Sequence, residues 1–291
     1  MDEPIELAVL GGSGFYEIPG LLISDELVID TPFGATSDAI RVGTLDGVRV
    51  AFLARHGRNH SLLPSEIPQR ANFWAFKSLG VRRVVGVSAV GSLRQDYAPG
   101  QMVTPDQIMD RTRGARPATF FGEGVVAHAS LAEPFCPALR SSAMAAGRAA
   151  GAEVHPDGSY VVIEGPAFGT RAESELYRAW GASIVGMTAL PEAKLAREAE
   201  LCYAILASVT DYDAWHIGEE PVDATTVLDV LRHNVVVSQN AIRQLVRNLP
   251  ADNCSCGTAL NAALVTPLAA IDAATRTRLA PILKRRLELT P

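Results

Sequence analysis

The chain has 291 residues, 48% of them hydrophobic and 20% charged, which is typical of a globular protein with a substantial core. Its formal net charge of −6 disfavours a nucleic acid or an anionic membrane surface as the main partner, although a local basic pocket can still bind a small anion. No apolar run reaches the roughly 18 residues of a spanning helix, and the acidic residues 1–6 differ from a basic secretory signal. We therefore expect a cytoplasmic protein.

The first predicted strand, residues 6–10, runs into a glycine-rich turn at residues 11–14. Glycine there permits positive φ and lets backbone N–H groups approach an anion, and Ser13 adds a hydroxyl group. The turn has neither the lysine of a Walker loop nor the spacing of G-x-G-x-x-G, so by itself it is equally consistent with an ordinary turn.

The second predicted strand, residues 47–54, ends directly before Arg55 and His56. A guanidinium group offers a planar fork of donors that matches phosphate or carboxylate, and a neighbouring histidine can add another donor. These two residues are therefore candidates for anion binding. An exposed basic turn explains the following Arg58 and His60 equally well.

Helices and strands alternate through the middle of the chain, interrupted by a polar loop at about residues 110–136. Loops of this length often form lids or subunit interfaces. A lone histidine in such a loop, here His128, is usually structural. The predicted helices are 68–79, 138–151 and 171–180, and the predicted strands are 82–87, 102–108 and 160–163.

Residues 184–213 have the pattern strand, turn, short helix, strand. The second strand, 204–209, is continuously apolar and ends abruptly in T-D-Y-D, so that Asp211 and Asp213 flank an aromatic ring. Ligands bind at the carboxyl ends of parallel strands, which makes these carboxylates candidates for a site. A turn with aspartate as a helix cap is the alternative, and it is weakened because other predicted strands end in similar residues.

Six predicted strands, ending at residues 10, 54, 87, 163, 185 and 209, are each followed by Gly, Ser, Thr, Arg or Asp. The pattern predicts a single-domain α/β protein, a three-layer α/β/α sandwich with a mixed, largely parallel central sheet and one site along its carboxyl edge. We assign residues 1–250 to this domain, with a long helix from a cap at Asp223 to about residue 248. Residues 251–291 are expected to form a partly helical arm that packs on the domain or on a neighbouring subunit.

The four cysteines do not suggest a disulfide scaffold in a chain of this length. Cys136 and Cys202 lie in apolar contexts and are interpreted as packed thiols. Cys254 and Cys256 form a single C-x-C, which lacks the second ligand pair of a zinc site, so we favour an exposed or redox-sensitive pair over a metal. The sequence therefore predicts no metal site.

Seven motifs are distributed over most of the chain: G-G-S-G at 11, D-T-P-F-G at 30, L-A-R-H-G-R at 53, A-E-P-F-C-P at 132, I-E-G-P-A-F-G-T-R-A-E-S at 163, G-M-T-A-L-P-E at 186 and A-S-V-T-D-Y-D at 207. Together they resemble the 5′-methylthioadenosine phosphorylases of the trimeric purine nucleoside phosphorylase family. The resemblance covers residues from about 6 to 249 and is weak beyond residue 250.

The resemblance implies a nucleoside phosphorylase-like fold and a pentosyltransferase of methionine and purine salvage. Phosphate, as co-substrate, attacks C1′ of 5′-methylthioadenosine and releases adenine and 5-methylthioribose 1-phosphate, with no metal or organic cofactor. It also implies a homo-oligomer, either a homotrimer or a dimer of trimers, in which His128 reaches a neighbouring subunit's site. Phosphate would be held by Ser13, Arg55, His56, Ser88, the Ala89 backbone and Thr188; the nucleoside would contact Phe168, Met187, Asp211, Asp213, Val227, Leu231 and His128.

The residue chemistry agrees with this reaction. Breaking a purine glycosidic bond places positive charge on the sugar and negative charge on the leaving base, so phosphate beneath C1′ and an acid at N7 both lower the barrier. Asp213 can be that acid if its pKa is raised, and the neighbouring Asp211 and an apolar, closed site both raise it.

Substrate choice is less well determined by the sequence. Ser88 stands where the family often has Thr and keeps the hydroxyl, whereas Gly169 replaces a common Ser and loosens the pocket near the base; Ala224 is the other position assigned to specificity. The alternatives are a purine nucleoside phosphorylase of broader specificity, a hydrolytic nucleosidase and a non-catalytic nucleoside-binding protein. Against a 6-oxopurine enzyme, such bases call for an amide where this chain has Asp213.

Overall fold

The computed structural model describes residues 3–114, 116–216, 224–251 and 254–288, with side chains described for all of these except residues 224–229. The predicted cap at Asp223 and the side chains of Ala224 and Val227 therefore lie outside the described residues. The strands are β1 Leu7–Gly11, β2 Leu22–Leu27, β3 Asp30–Thr31, β4 Gly34–Ala35, β5 Ile40–Leu45, β6 Val48–Ala54, β7 Arg83–Ser92, β8 Met102–Val103, β9 Gln107–Arg111, β10 Val154–His155, β11 Ser159–Ile163, β12 Ile184–Gly186 and β13 Cys202–Asp211. The helices are α1 Gln69–Ser78, α2 Pro137–Ala149, α3 Arg171–Ala179, α4 Ala189–Glu198, α5 Ala224–Arg247, α6 Ala273–Arg278 and α7 Ala280–Glu288.

A mixed sheet forms the centre of the described chain, and its main run has the order β10-β8-β13-β7-β1-β6-β5-β2. β1 pairs in parallel with both β6 and β7, and β13 pairs in parallel with β7. β5 and β2 add an antiparallel edge. β12 pairs antiparallel with β7 and in parallel with β11, which pairs in parallel with β9. The predicted mixed, largely parallel sheet is confirmed.

Alternate residues of β1 face two separate apolar clusters, as the two-residue period of a strand requires. Ala8 and Leu10 belong to a cluster with residues of α1, α4 and α7. Leu7 and Val9 belong to a second cluster with residues of α2 and α5. Helices therefore cover both faces of the sheet, which confirms the three layers.

Three predicted strands differ from the structure by more than one residue. The predicted strand 102–108 is two strands, β8 and β9, separated by Pro105, which has no N–H to donate to a ladder. β7 and β13 both extend beyond their predicted ends, to Ser92 and Asp211. The sequence pattern also missed β2, because five of its six residues are exposed and it carries no alternation of apolar and polar residues.

The segment that follows α5 folds back onto the domain. The indole N–H of Trp74 in α1 donates to the carbonyl of Arg278 at 3.0 Å. The polar loop between β9 and α2 pairs with the same segment, because the N–H of His128 donates to the carbonyl of Ala263 at 2.8 Å. Among the described residues, no helix combines the length and apolar character needed to cross a membrane.

Candidate active site

A cavity of about 330 Å³ opens at the carboxyl ends of β1, β6, β7 and β13. This is the edge of a parallel sheet at which ligands bind, and the volume is in the range of small-molecule pockets. The predicted site residues that line it are Ser13, Arg55, His56, Ser88, Ala89, Phe168, Gly169, Met187, Thr188, Asp211, Asp213 and Leu231.

One end of the cavity presents hydroxyl groups and closely packed backbone. The Ser88 hydroxyl oxygen is buried and makes no hydrogen bond of ordinary geometry among the described residues, although the Tyr160 hydroxyl lies close to it, so it is available to a ligand. Only glycine fits at position 12, because a Cβ atom there would lie 2.4 Å from the carbonyl oxygen of Val87 and 2.7 Å from a guanidinium nitrogen of Arg55. The glycine-rich turn therefore packs directly on the arginine.

The guanidinium group of Arg55 is held by the carboxylate of Glu192, a residue that the sequence interpretation missed. Its Nε lies 2.5 Å from Oε1 of Glu192 and its Nη2 3.2 Å from Oε2, while Nη1 donates to the carbonyl of Val87 at 2.8 Å. Gln69 and the Tyr203 hydroxyl also donate to Glu192, at 3.2 and 2.6 Å. Three of the five guanidinium N–H groups are therefore committed, and two remain for an anion. The only available signal for Glu192 was its place in the G-M-T-A-L-P-E motif.

The buried ion pair also sets the charge at this end of the cavity. Arg55 is 1% exposed and Glu192 is fully buried. Burial alone would lower the pKa of Arg55, but the charge and hydrogen bonds of Glu192 raise it above its ordinary value. The arginine therefore stays cationic.

His56 differs from the expected second donor. Its Nδ1 lies 2.8 Å from the carbonyl oxygen of Leu62, and since a carbonyl only accepts, Nδ1 carries the proton. Burial, with a further contribution from the charge of Arg55, lowers the pKa of His56 to about 4, so the ring is neutral at pH 7. In that state Nε2 is an acceptor. At this nitrogen His56 can therefore accept a hydrogen bond from a protonated oxygen but cannot donate one.

His60 also lines the cavity, although the sequence explained it equally well as part of an exposed turn. Its ring stacks on that of His56 with centroids 4.4 Å apart, and its Nδ1 lies 2.8 Å from the hydroxyl of Tyr16. By contrast, Arg58 is 42% exposed on its side chain and pairs with Asp38 at 3.0 Å, consistent with the turn interpretation. The basic cluster therefore divides between the cavity and the surface.

The two aspartates at the end of β13 have different environments. Oδ1 of Asp211 accepts the N–H of Asp213 at 2.8 Å, and its Oδ2 accepts the hydroxyl of Thr210 at 2.7 Å. Burial, followed by the negative charge of Asp211, raises the pKa of Asp213 above its ordinary value. Asp211 therefore orients the turn, while Asp213 is the carboxyl group that is suited to holding a proton.

The loops that follow β11 and β12 form the apolar wall of the cavity. The side chain of Arg116 connects the two loops through hydrogen bonds. This buried guanidinium donates to the carbonyls of Met187 and Leu190 at 2.5 and 2.9 Å, and to the side chain and carbonyl of Glu164 at 2.8 and 2.5 Å. The sequence had placed Arg116 in a polar loop with no assigned role. Phe168, in contrast, is 60% exposed.

Among the predicted site residues whose side chains are described, His128 alone is not brought to the cavity. His128 is exposed and does not line it, so its assignment to a neighbouring subunit's site stays a prediction. The side chains of Ala224 and Val227 lie outside the described residues.

Cys254 and Cys256 were interpreted as an exposed or redox-sensitive pair, and the exposed alternative is wrong. Cys256 is buried, and the two sulfurs cluster with those of Cys136 and Cys202 within 4.8 Å of one another. Cys136 and Cys202 lie more than fifty positions from this motif, so spacing in the sequence cannot reveal that the four sulfurs meet.

One cavity at the carboxyl edge of the sheet combines a cationic arginine with a carboxyl group suited to holding a proton. These features define the site of an enzyme that transfers a group to an anionic acceptor. The sequence profile of the phosphorylase superfamily matches residues 6–247, and the chain belongs to this family. It is 56% identical over 280 residues to an S-methyl-5′-thioadenosine phosphorylase of Chloroflexus aurantiacus, covering 96% of this chain and 97% of the relative.

Solved structures agree with this family. A methylthioadenosine phosphorylase from an antarctic soil metagenomic library superimposes with a TM-score of 0.91 at 47% identity, covering 97% of this chain and 100% of that one. Methylthioadenosine phosphorylase from Schistosoma mansoni in complex with adenine gives a TM-score of 0.81 at 34% identity, covering 98% and 100%. These matches confirm the predicted fold class.

Proposed function

We propose that this chain catalyses the phosphorolysis of 5′-methylthioadenosine to adenine and 5-methylthio-α-D-ribose 1-phosphate, a pentosyl transfer in methionine and purine salvage. Relatives that carry the corresponding name match nearly the whole chain. The observation that carries the proposal is the cavity itself, which combines a buried Ser88 hydroxyl and Arg55 with Asp213, a carboxyl group whose pKa is raised.

The two ends of the cavity suit the two partners of the reaction. As the bond between C1′ and N9 breaks, its electron pair moves onto the purine and the ribosyl group gains positive charge. A phosphate oxygen held by Ser88 and the two remaining N–H groups of Arg55 then forms the new bond to C1′. Asp213 gives its proton to N7 of the leaving adenine, which neutralises the charge that develops there.

His56 fits a particular protonation state of the phosphate. A neutral imidazole that donates through Nδ1 can accept from a P–OH group at Nε2. Arg55 and the hydroxyl groups serve the unprotonated oxygens. The set therefore favours a phosphate that still carries one proton.

The experiment is an assay of adenine release from 5′-methylthioadenosine with and without inorganic phosphate. We expect adenine only when phosphate is present, together with an equal amount of the sugar phosphate. Release without phosphate would indicate a nucleosidase, and tight binding without any product would indicate a binding protein. Faster phosphorolysis of inosine than of 5′-methylthioadenosine would indicate a 6-oxopurine phosphorylase.

A further inference from the structure

A cluster of four cysteines lies outside the cavity. The sulfur atoms of Cys136, Cys202, Cys254 and Cys256 all lie within 4.8 Å of one another. Cys136 and Cys256 are buried, the other two are half-buried, and all four are free thiols. They are also the only cysteines of the chain. Four converging thiols are a donor set that metal sites use and that packing alone does not require.

Three distant parts of the chain supply these side chains. Cys136 precedes the first residue of α2, Cys202 begins β13, and Cys254 and Cys256 lie in the turn that begins the C-terminal arm. Cys202 and Asp211 stand at opposite ends of β13, about 30 Å apart at the usual rise of a strand. The cluster is therefore remote from the proposed chemistry.

The spacing of the sulfur atoms suits a shared metal ion. The sulfurs of Cys202 and Cys254 are 3.2 Å apart, well beyond the roughly 2.05 Å of a disulfide bond. Four sulfurs each about 2.3 Å from one Zn²⁺ would lie about 3.8 Å apart. Because all four sulfur atoms already lie within 4.8 Å of one another, only small side-chain movements would bring them to these distances.

Two features near the cluster favour negative charge. Cys136 stands at the start of α2, at the positive end of the helix dipole. Nη1 of Arg197 lies 3.9 Å from the sulfur of Cys256. Both features offset the negative charge that four thiolates around a divalent ion would carry.

We propose that Cys136, Cys202, Cys254 and Cys256 bind one Zn²⁺ in a tetrahedral site that fastens the C-terminal arm to the domain. Zn²⁺ replaces four S–H protons, which pass to solvent, and four zinc–sulfur bonds form with no oxidation or reduction. Four thiolates and no open position make the site structural. This inference is independent of the proposed reaction.

The test compares wild type with two neighbouring substitutions, Cys254→Ser and Ser255→Ala. Ser255 is exposed and lies between the two turn cysteines, so its variant controls for changes to the turn itself. Metal in protein purified without chelators is measured by plasma mass spectrometry. We expect about one zinc per chain in wild type and in Ser255→Ala, and about tenfold less or lower in Cys254→Ser.

A second measurement tests the proposal even if Cys254→Ser folds poorly or the wild-type site loses zinc during purification. Reduced, chelator-treated wild-type protein is titrated with Co²⁺ and then Zn²⁺. We expect the visible bands of tetrahedral, thiolate-bound Co²⁺ to rise to one equivalent, Zn²⁺ to displace them, and thiol reactivity to fall. The proposal is overturned if the reduced protein takes up no stoichiometric metal, if its thiols stay reactive with Zn²⁺ present, or if iron occupies the site of the purified protein.

Discussion

Asp213 has a raised pKa and lies in the cavity, which together suit a proton donor to a leaving purine. Replacing Asp213 by Asn removes the transferable proton but keeps the size and shape of the side chain. We expect kcat for 5′-methylthioadenosine to fall by roughly 10²–10⁴. Steady-state kinetics with both substrates varied would check this, and an unchanged kcat would remove Asp213 from the mechanism.

The same substitution should change base selectivity. The O–H of a protonated carboxyl group can donate to N7 of adenine while its carbonyl oxygen accepts from the N6 amino group. In hypoxanthine the same carbonyl oxygen would face O6, which is also an acceptor. A polar mismatch of this kind costs about 1–3 kcal/mol. An Asn side chain can donate to O6, so the ratio of kcat/KM for 5′-methylthioadenosine to that for the inosine analogue should narrow. If the ratio does not change, Asp211 or a water molecule must recognise the group at position 6 of the base instead of Asp213.

The stability of the Asp213→Asn variant separates a catalytic role from a structural one. A folded-state pKa that is raised contributes stability that is present below the unfolded value and is lost as pH rises through the folded value. Ionised Asp213 therefore destabilises the fold at neutral pH, and the variant, which cannot ionise, should be the more stable protein there. Thermal unfolding at several pH values should show this advantage shrinking towards pH 4.

Ser88 gives the most selective test of the anion subsite. Arg55 is a poor target because its removal would leave Glu192 buried and unpaired. The Ser88 hydroxyl makes no hydrogen bond of ordinary geometry among the described residues, so Ser88→Ala should change stability little and remove one hydrogen bond to a charged ligand, worth about 1.5–3 kcal/mol. We expect the phosphate KM to rise about tenfold or more while the nucleoside KM changes little.

The control for Ser88→Ala is Ser92→Ala on the same strand. The Ser92 hydroxyl donates to the carbonyl of Arg94 at 2.8 Å and does not line the cavity. Its loss should lower stability slightly and leave the phosphate KM as in wild type. Equal effects of both substitutions on the phosphate KM would count against the anion subsite.

At the scale of elements, Arg116 determines how the loops after β11 and β12 meet. Its guanidinium is buried, and its loss would remove a donor from the carbonyls of Met187 and Leu190 and from Glu164, whose carboxylate would keep the N–H of Arg113 at 2.7 Å. We expect Arg116→Ala to lower the free energy of unfolding by about 1–3 kcal/mol, the cost of leaving buried carbonyls without a donor. Arg113→Ala, in the same loop but exposed, should change it by about 0.5 kcal/mol or less. Unfolding of both variants in denaturant measures these changes. Equal losses of unfolding free energy would contradict the structural role of Arg116.

At the scale of the whole molecule, we propose a homo-oligomer in which the surface around His128 contacts a neighbouring subunit. Val126 and Val265 are 47% and 60% exposed and are joined by a backbone hydrogen bond, so they form an apolar surface beside His128. Light scattering at micromolar concentration should give about three or six times the chain mass of 31.0 kDa. A fully active species with the mass of one chain would refute this.

Several features were predictable from the sequence because they depend on local pattern. Apolar runs that end in Gly, Ser, Arg or Asp indicated the parallel strands and the edge on which the site lies, and twelve of the proposed site residues do line one cavity. Ser13, Ser88 and Asp213 were predicted in this way, because each lies within a few residues of the end of an apolar run in the sequence. Neighbouring residues in the chain suffice for such an inference.

The tertiary structure decided what depends on contacts between distant residues. Glu192 lies 137 positions from Arg55, and Arg116 lies 71 positions from Met187, yet each pair is joined by a direct hydrogen bond. The protonation of His56 depends on its burial and on the carbonyl of Leu62. The four cysteines converge only because α2, β13 and the C-terminal arm meet. Burial and long-range pairing arise from the packing of the whole chain, so no local pattern specifies them.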